Sequence, residues 1–211
     1  AGRFFTDAAN AITGRYIGGA AKTAVVSSAF MASVSGTAAG NVATTGSFTI
    51  PAMKAAGYKP VFAAAVEAVA SSGGLMTPPV LGATAFVMAE MTGISYTDIV
   101  IAAILPAILY YVGTFITVDL EARKLGLPAM READIPRLWT VIRQRGYLLL
   151  PLVTLIWYIM NGYTLVHAAI WSIFALVVLL AAFDRENRRN VLFVLWRAMT
   201  SAPRMMAQIT V

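Results

Sequence analysis

Two short polar runs hold the residues that could do chemistry. Ser35-Gly36-Thr37, followed by Asn41, gathers two hydroxyls and an amide around a glycine. Ser71-Ser72-Gly73-Gly74, followed by Thr77-Pro78-Pro79, adds three hydroxyls and removes two backbone N–H donors. Proline cannot donate within a helix, so Pro78 and Pro79 free carbonyls of the preceding turn. Hydroxyl, amide and carbonyl oxygens are neutral ligands for a hard cation such as sodium, and the N–H groups that open a helix favour an anion such as a carboxylate. The candidate substrate- and ion-binding residues are therefore Ser35, Gly36, Thr37, Asn41, Ser72, Gly73, Gly74, Thr77 and Pro78, with Ser71 and Pro79 beside them. The competing accounts are a tight glycine turn with capping side chains in the first run and a plain proline kink in the second.

The elements that must position these runs follow from composition. Apolar residues make up 59% of the 211 positions and charged residues only 12%, with a mean hydropathy of +0.73. A soluble domain carries about 25% charged residues, so the sequence predicts an all-α integral membrane protein in a lipid bilayer. The 16 Lys and Arg against 10 Asp and Glu give a net charge of +6, confined to short segments between long uncharged runs. That distribution belongs to cytoplasmic loops and argues against a nucleic-acid partner. Cysteine is absent, His167 is the lone histidine and stands beside no ligand pair, and no phosphate-binding glycine loop occurs. The sequence therefore predicts no enzyme, no cofactor and no resident metal site.

Basic residues set the expected topology. The uncharged stretch 23–53 lies between basic ends and is split by the first polar run into arms 23–34 and 42–53. As helices these reach roughly 18 Å, short of a hydrocarbon core of about 30 Å, which predicts a re-entrant helical hairpin. Residues 60–92 form one passage interrupted by the second run, a discontinuous helix, and 96–122 the return helix. Residues 148–183 predict a transmembrane hairpin. The flanks 1–17, 128–147 and 184–211 read as amphipathic cytoplasmic segments, the last including a surface helix over 190–206. Non-helical backbone inside a bilayer persists only where it lines a cavity or is buried in protein, so two such breaks point to a solute pathway.

Glu67 stands inside the broken passage, where a carboxylate is costly; it could carry a proton or accept hydrogen bonds from a neighbouring helix. Glu90 and Asp98 flank an external turn and read as solvated. Asp119 and Glu121 read as surface partners of Arg123 and Lys124, worth little. Tyr110-Tyr111, Trp139, Trp157-Tyr158, Trp171 and Trp196 read as interface anchors or packing groups.

The run SGTAAGNVATTGSFTIPAMKAAGYKP, then AAVEAVASSGGLMTPPVLGATAFVMAEMTG and the LEARKLGL helix end, resembles the large membrane subunit of tripartite ATP-independent periplasmic (TRAP) transporters. The likeness is densest over 18–127 and is greatest to the fused type that works with TAXI-class binding proteins. It implies a prokaryotic inner-membrane, multi-pass elevator carrier. A periplasmic TAXI-type binding protein delivers a small organic anion, and an ion gradient drives symport, with sodium expected and a proton the alternative. The family pattern SGS at the hairpin tip is Ser35-Gly36-Thr37 here, which keeps the hydroxyl. The resemblance also implies two inverted repeats, of which residues 18–127 form the first, with the second expected to begin near Ile209. A channel-like filter, or a structural membrane subunit whose breaks only permit close packing, is the reading from a different class.

Overall fold

The computed structural model describes residues 2–130 and 135–183, and all regular structure among them is helical. Helices α1 (Gly2–Thr13), α2 (Gly19–Ser35), α3 (Ala38–Ala55), α4 (Pro60–Ser72), α5 (Ala83–Thr92), α6 (Tyr96–Lys124) and α7 (Leu138–Arg145) belong to one compact unit. A second unit begins at Gly146 and holds α8 (Leu150–Met160) and α9 (Leu165–Phe183).

The α2–α3 hairpin turns on two residues. Gly36 takes φ +60°, a left-handed angle that stops α2, and its N–H donates to Ala32 O at 3.3 Å. Thr37 is extended, and its Oγ1 accepts from Gly40 N at 3.2 Å, capping α3. The arms are longer than the sequence predicted: 17 and 18 residues rather than 12, or roughly 26 Å each. On the α2 side the reason is Lys22. It was read as the charged end of the arm but lies inside α2, buried, with its ammonium bound to the Asp119 carboxylate of α6 and resting near the rings of Tyr16 and Phe115. A neutralised lysine does not end a helix. Asp119 is correspondingly not only a surface partner of Arg123, to which it also bonds at 2.7 Å.

Helices α2 and α4 close on each other through small residues. Ala20, Ala21, Ala24 and Ala63 are buried to 5% exposure or less, in a core with Val25, Met53 and Val118. Without large side chains the backbones approach closely, as membrane helices do where they pack. Hydroxyl pairs add to this: Thr13 with Thr23 at 2.9 Å ties α1 to α2, and Ser28 with Thr45 at 3.3 Å ties α2 to α3.

The second passage is interrupted over a longer stretch than its sequence suggested. Ser71 and Ser72 stay in the last turn of α4, because a serine hydroxyl can bond back to its own helix, as Ser72 Oγ does to Ala68 O at 2.8 Å. Gly73–Leu75 makes a single 3-10 turn, and irregular backbone with a cis Pro78–Pro79 peptide continues to Gly82. Gly82 N closes the loop on Leu75 O at 2.9 Å. After α5 the chain turns at Gly93, and Ser95 Oγ caps α6 by accepting from Asp98 N at 3.2 Å.

Helix α6, 29 residues long, is the one described helix both long and apolar enough to cross a membrane. Ile101, Ile104, Leu105, Ile108, Leu109 and Val112 stand exposed along it, a surface that water would not favour. The connector after α6 folds back on α1: Met130 N donates to Gly14 O at 3.1 Å, and Ile135 packs beside Gly14. In the second unit, Tyr158, Tyr163, His167 and Trp171 stack around the α8–α9 turn, with Trp171 Nε1 donating to His167 Nε2 at 3.0 Å. His167 thus serves packing. The amphipathic segment expected over 184–211 lies outside the described residues.

Candidate functional site

The hairpin tip and the helix break, some forty residues apart in sequence, are in direct contact. A Cβ placed on Gly36 would lie 3.0 Å from Val80 Cγ1 and 3.2 Å from the carbonyl oxygens of Val80 and Leu81; one on Gly74 would lie 3.6 Å from Thr37 O. Only backbone without side chains lets two non-helical segments come this near. The nine candidate residues divide accordingly. Ser35, Gly36 and Thr37 stand at the tip, and Gly73, Gly74, Thr77 and Pro78 in the break; of these four Gly74 meets the tip, which otherwise touches Val80, Leu81 and Gly82, whereas Gly73 faces Tyr110 and Tyr111, and Thr77 and Pro78 line a cleft with Ala29 and α6. Ser72 is exposed on the last turn of α4. Asn41 is fully buried one turn inside α3, where its Nδ2 donates to Ser28 O at 2.9 Å and straps the arms together.

The hydroxyls of the tip and break differ in how firmly they are held. Ser35 Oγ reaches only Thr37 O, at 3.4 Å and exposed. Thr77 Oγ1 donates to Gly73 O at 2.6 Å and meets Tyr111 Oη at 3.2 Å. Two tyrosines of α6 brace the break, a role that sequence reading left unassigned. Tyr111 Oη also lies 3.3 Å from Ala70 O, and Tyr96 Oη donates to Pro79 O at 3.1 Å while accepting from Leu81 N at 3.2 Å. The carbonyls and amides that proline frees are thus partly satisfied from α6, which fixes the path of the irregular strand. A cleft of about 400 Å³ opens beside Thr77 and Pro78, walled by Ala29, Ile108, Tyr111 and Val112.

Gly73 carries a testable consequence. A Cβ there would come within 2.5 Å of Tyr111 Oη and 2.7 Å of its Cζ. Gly73→Ala should push Tyr111 off Thr77 and destabilise the protein by about 1 kcal/mol, the value of one lost neutral hydrogen bond. Gly73→Ala combined with Tyr111→Phe should be no worse than Gly73→Ala alone, as thermal melts can measure.

Below the break, Glu67 is fully buried and four hydroxyls converge on it: Ser28 at 3.3 Å and Ser71 at 3.1 Å, with Thr45 and Thr49. The sequence exposed the carboxylate but not its cage. The signal was there, since Asn41, Thr45 and Thr49 recur at i, i+4 on one face of α3. No basic side chain bonds to Glu67 among the described residues. The region therefore offers neutral oxygens, backbone dipoles and one carboxyl group, a set suited to reversible binding. It holds no pairing of nucleophile and base.

Comparison with known proteins bears on what is bound. The family model described as "Tripartite ATP-independent periplasmic transporter, DctM component" matches residues 1–211. The chain is 25% identical over 197 residues to the C4-dicarboxylate TRAP transporter large permease protein DctM of Rhodobacter capsulatus, covering 87% of this chain and 45% of that protein. It is 30% identical over 133 residues to the protein of the same name from Pseudomonas aeruginosa, covering 63% and 31%. Similarity to the 2,3-diketo-L-gulonate TRAP transporter large permease protein YiaN of Escherichia coli is 28% over 129 residues, covering 61% and 30%. The chain spans less than half the length of each of these curated relatives.

Proposed function

The chain belongs to the tripartite ATP-independent periplasmic transporter DctM family, and on that premise we propose that it is part of a secondary carrier of a small organic anion. The solute is a carboxylate, handed over by a periplasmic binding protein of the TAXI type. Coupling is to a cation gradient, with sodium as the ion at the tip and break, in a prokaryotic inner membrane. The names of the DctM and YiaN relatives, which specify carboxylates, support the solute class.

The observation that carries this reading is the contact between the two helix interruptions around Gly36 and Val80. A solute held between them would meet the Ser35 hydroxyl, the Thr77 hydroxyl and main-chain dipoles. An anion taken alone into that low-dielectric setting would be costly, and a cation beside it offsets the charge. Co-binding follows. The hairpin and the broken passage share one core through Ala63, Ala70 and Val25, so they are suited to move as one body across the membrane, the elevator mode. A static filter would not require the interruptions to close on solute.

Ser35→Ala combined with Thr77→Ala in the full-length permease should weaken solute binding about tenfold or more, as expected for two hydrogen bonds to a charged ligand. Uptake into proteoliposomes with the binding protein should fall when potassium replaces sodium. Unchanged affinity in the double variant would remove the site assignment, and unchanged uptake would remove sodium coupling. Counterflow of labelled solute separates carrier from channel, because only a carrier exchanges.

A further inference from the structure

A carboxyl group with no charged partner, sealed inside a domain that carries solute, calls for an account of its own. Glu67 receives its hydrogen bonds from three helices: Ser28 on α2, Thr45 and Thr49 on α3, and Ser71 on its own α4. The other elements packed on α4 bring no titratable group to it. From α6, Tyr110 and Tyr111 reach α4 at the carbonyls of Val69 and Ala70, at 2.6 and 3.3 Å, and Asp119 is bound to Lys22 and Arg123.

The two threonines have a second acceptor each. Thr45 Oγ1 lies 2.9 Å from Asn41 O, and Thr49 Oγ1 lies 3.0 Å from Thr45 O, besides their contacts to the carboxyl group. A hydroxyl has one hydrogen and two lone pairs. With Glu67 ionised, all four hydroxyls donate to it. With Glu67 protonated, its O–H donates to Thr49 Oγ1 or Thr45 Oγ1, and that threonine swings its own hydrogen to the carbonyl one turn back. Both forms keep every partner without moving a heavy atom. Of the buried side-chain oxygens and nitrogens described, Ser172 Oγ is the one without a partner, and it lies in the second unit. The hydroxyls also close directly on the carboxyl oxygens, so a metal cation among them would have to push them outward, whereas a proton needs no room.

We propose that Glu67 is a proton-binding site, loaded and emptied once per transport cycle. This rests on the reading of the chain as part of an ion-coupled carrier, and it adds to the tip and break a second coupling site for a different ion. Glu67 is fully buried, so its proton exchanges when the hydroxyl contacts from α2 and α3 open locally. Ser71, which also bonds to Glu67, lies two residues before the break, so solute in the break and the proton at Glu67 act on the same end of α4.

The test uses the full-length permease. Infrared difference spectra between acid and alkaline buffer should contain a protonated carboxyl C=O band that Glu67→Gln abolishes. In proteoliposomes with the binding protein and sodium equal on both sides, an acid-outside gradient of one pH unit should raise solute accumulation roughly tenfold for one proton per cycle, and Glu67→Gln should lose this response. A band that survives Glu67→Gln, or a gradient response that survives it, overturns the proposal. Where Glu67→Gln fails to fold, Thr49→Val should shift the band's frequency, and an unmoved band overturns the proposal equally. If the wild-type protein accumulates no solute under any gradient, the carrier reading falls, while the infrared band still decides whether Glu67 exchanges a proton.

Discussion

Asp119→Leu is expected to be among the most damaging substitutions outside the tip and break, lowering the melting temperature of the purified protein by about 10 °C. It strands the Lys22 ammonium, which is only 4% exposed, among Ala, Tyr16 and Phe115. Breaking a buried pair from one side leaves a charge without compensation, and that penalty exceeds what the intact pair contributes. The opposite substitution, Lys22→Met, should be much milder, because Asp119 keeps Arg123 at 2.7 Å and has solvent on one side. The double variant Lys22→Met with Asp119→Leu should recover most of the loss, since an apolar pair of similar volume replaces the ions and Arg123, 63% exposed, remains hydrated. Tyr58 belongs to the same corner: burial first, then the carboxylates of Asp119 and Glu121, pushes its phenol up to about 12, so it stays a neutral donor to Gly18 O at 3.4 Å. Thermal melts of the three variants in one detergent check the ordering. A double variant as unstable as Asp119→Leu would mean that the cost lies in lost packing and not in the stranded charge.

The Lys22–Asp119 pair also marks where sequence reading stopped. Charge placement located the long uncharged runs and both polar interruptions, because hydrocarbon and backbone hydrogen bonding act on local composition. It misjudged the hairpin arms, because a lysine paired with a residue 97 positions away leaves no local trace of being neutralised. The break was placed two residues early for a similar reason. Serines that look like loop residues sit comfortably in a helix end once their hydroxyls bond back to the previous turn, as Ser72 does to Ala68. The glycines and prolines of the tip and break were legible, since their backbone properties are intrinsic. The residues that brace them were not: Tyr96 and Tyr111 act through hydroxyls delivered by the return helix, and nothing in their own surroundings in the chain distinguishes that from an interfacial tyrosine. Glu67 was legible as an anomaly. Its cage was half legible, through the threonine spacing on α3, and half hidden, because Ser28 comes from the other arm.

Gly36→Ala is expected to lower kcat/KM for solute uptake by roughly tenfold or more, and the comparison with Gly93→Ala separates the two reasons why it should. Both glycines hold left-handed angles, φ +60° and +69°, so alanine at either costs about 1 kcal/mol in backbone strain. For a protein of this size that corresponds to a melting temperature lower by about 2–4 °C. Their surroundings differ. A Cβ on Gly93 would meet nothing within 4 Å, whereas one on Gly36 would sit 3.0 Å from Val80 Cγ1 and 3.2 Å from two carbonyl oxygens of the break. Side-chain rotation can relieve the first of these contacts, but the carbonyls belong to a strand held by Tyr96 and by the Gly82-to-Leu75 bond. The tip must therefore withdraw from the break. If a solute binds where the two interruptions meet, Gly36→Ala loses transport and Gly93→Ala keeps it, and Gly36→Ala melts lower only by the packing its withdrawn tip gives up. Equal transport in the two variants would show that the tip and break touch without forming a site, and would leave their contact as packing alone.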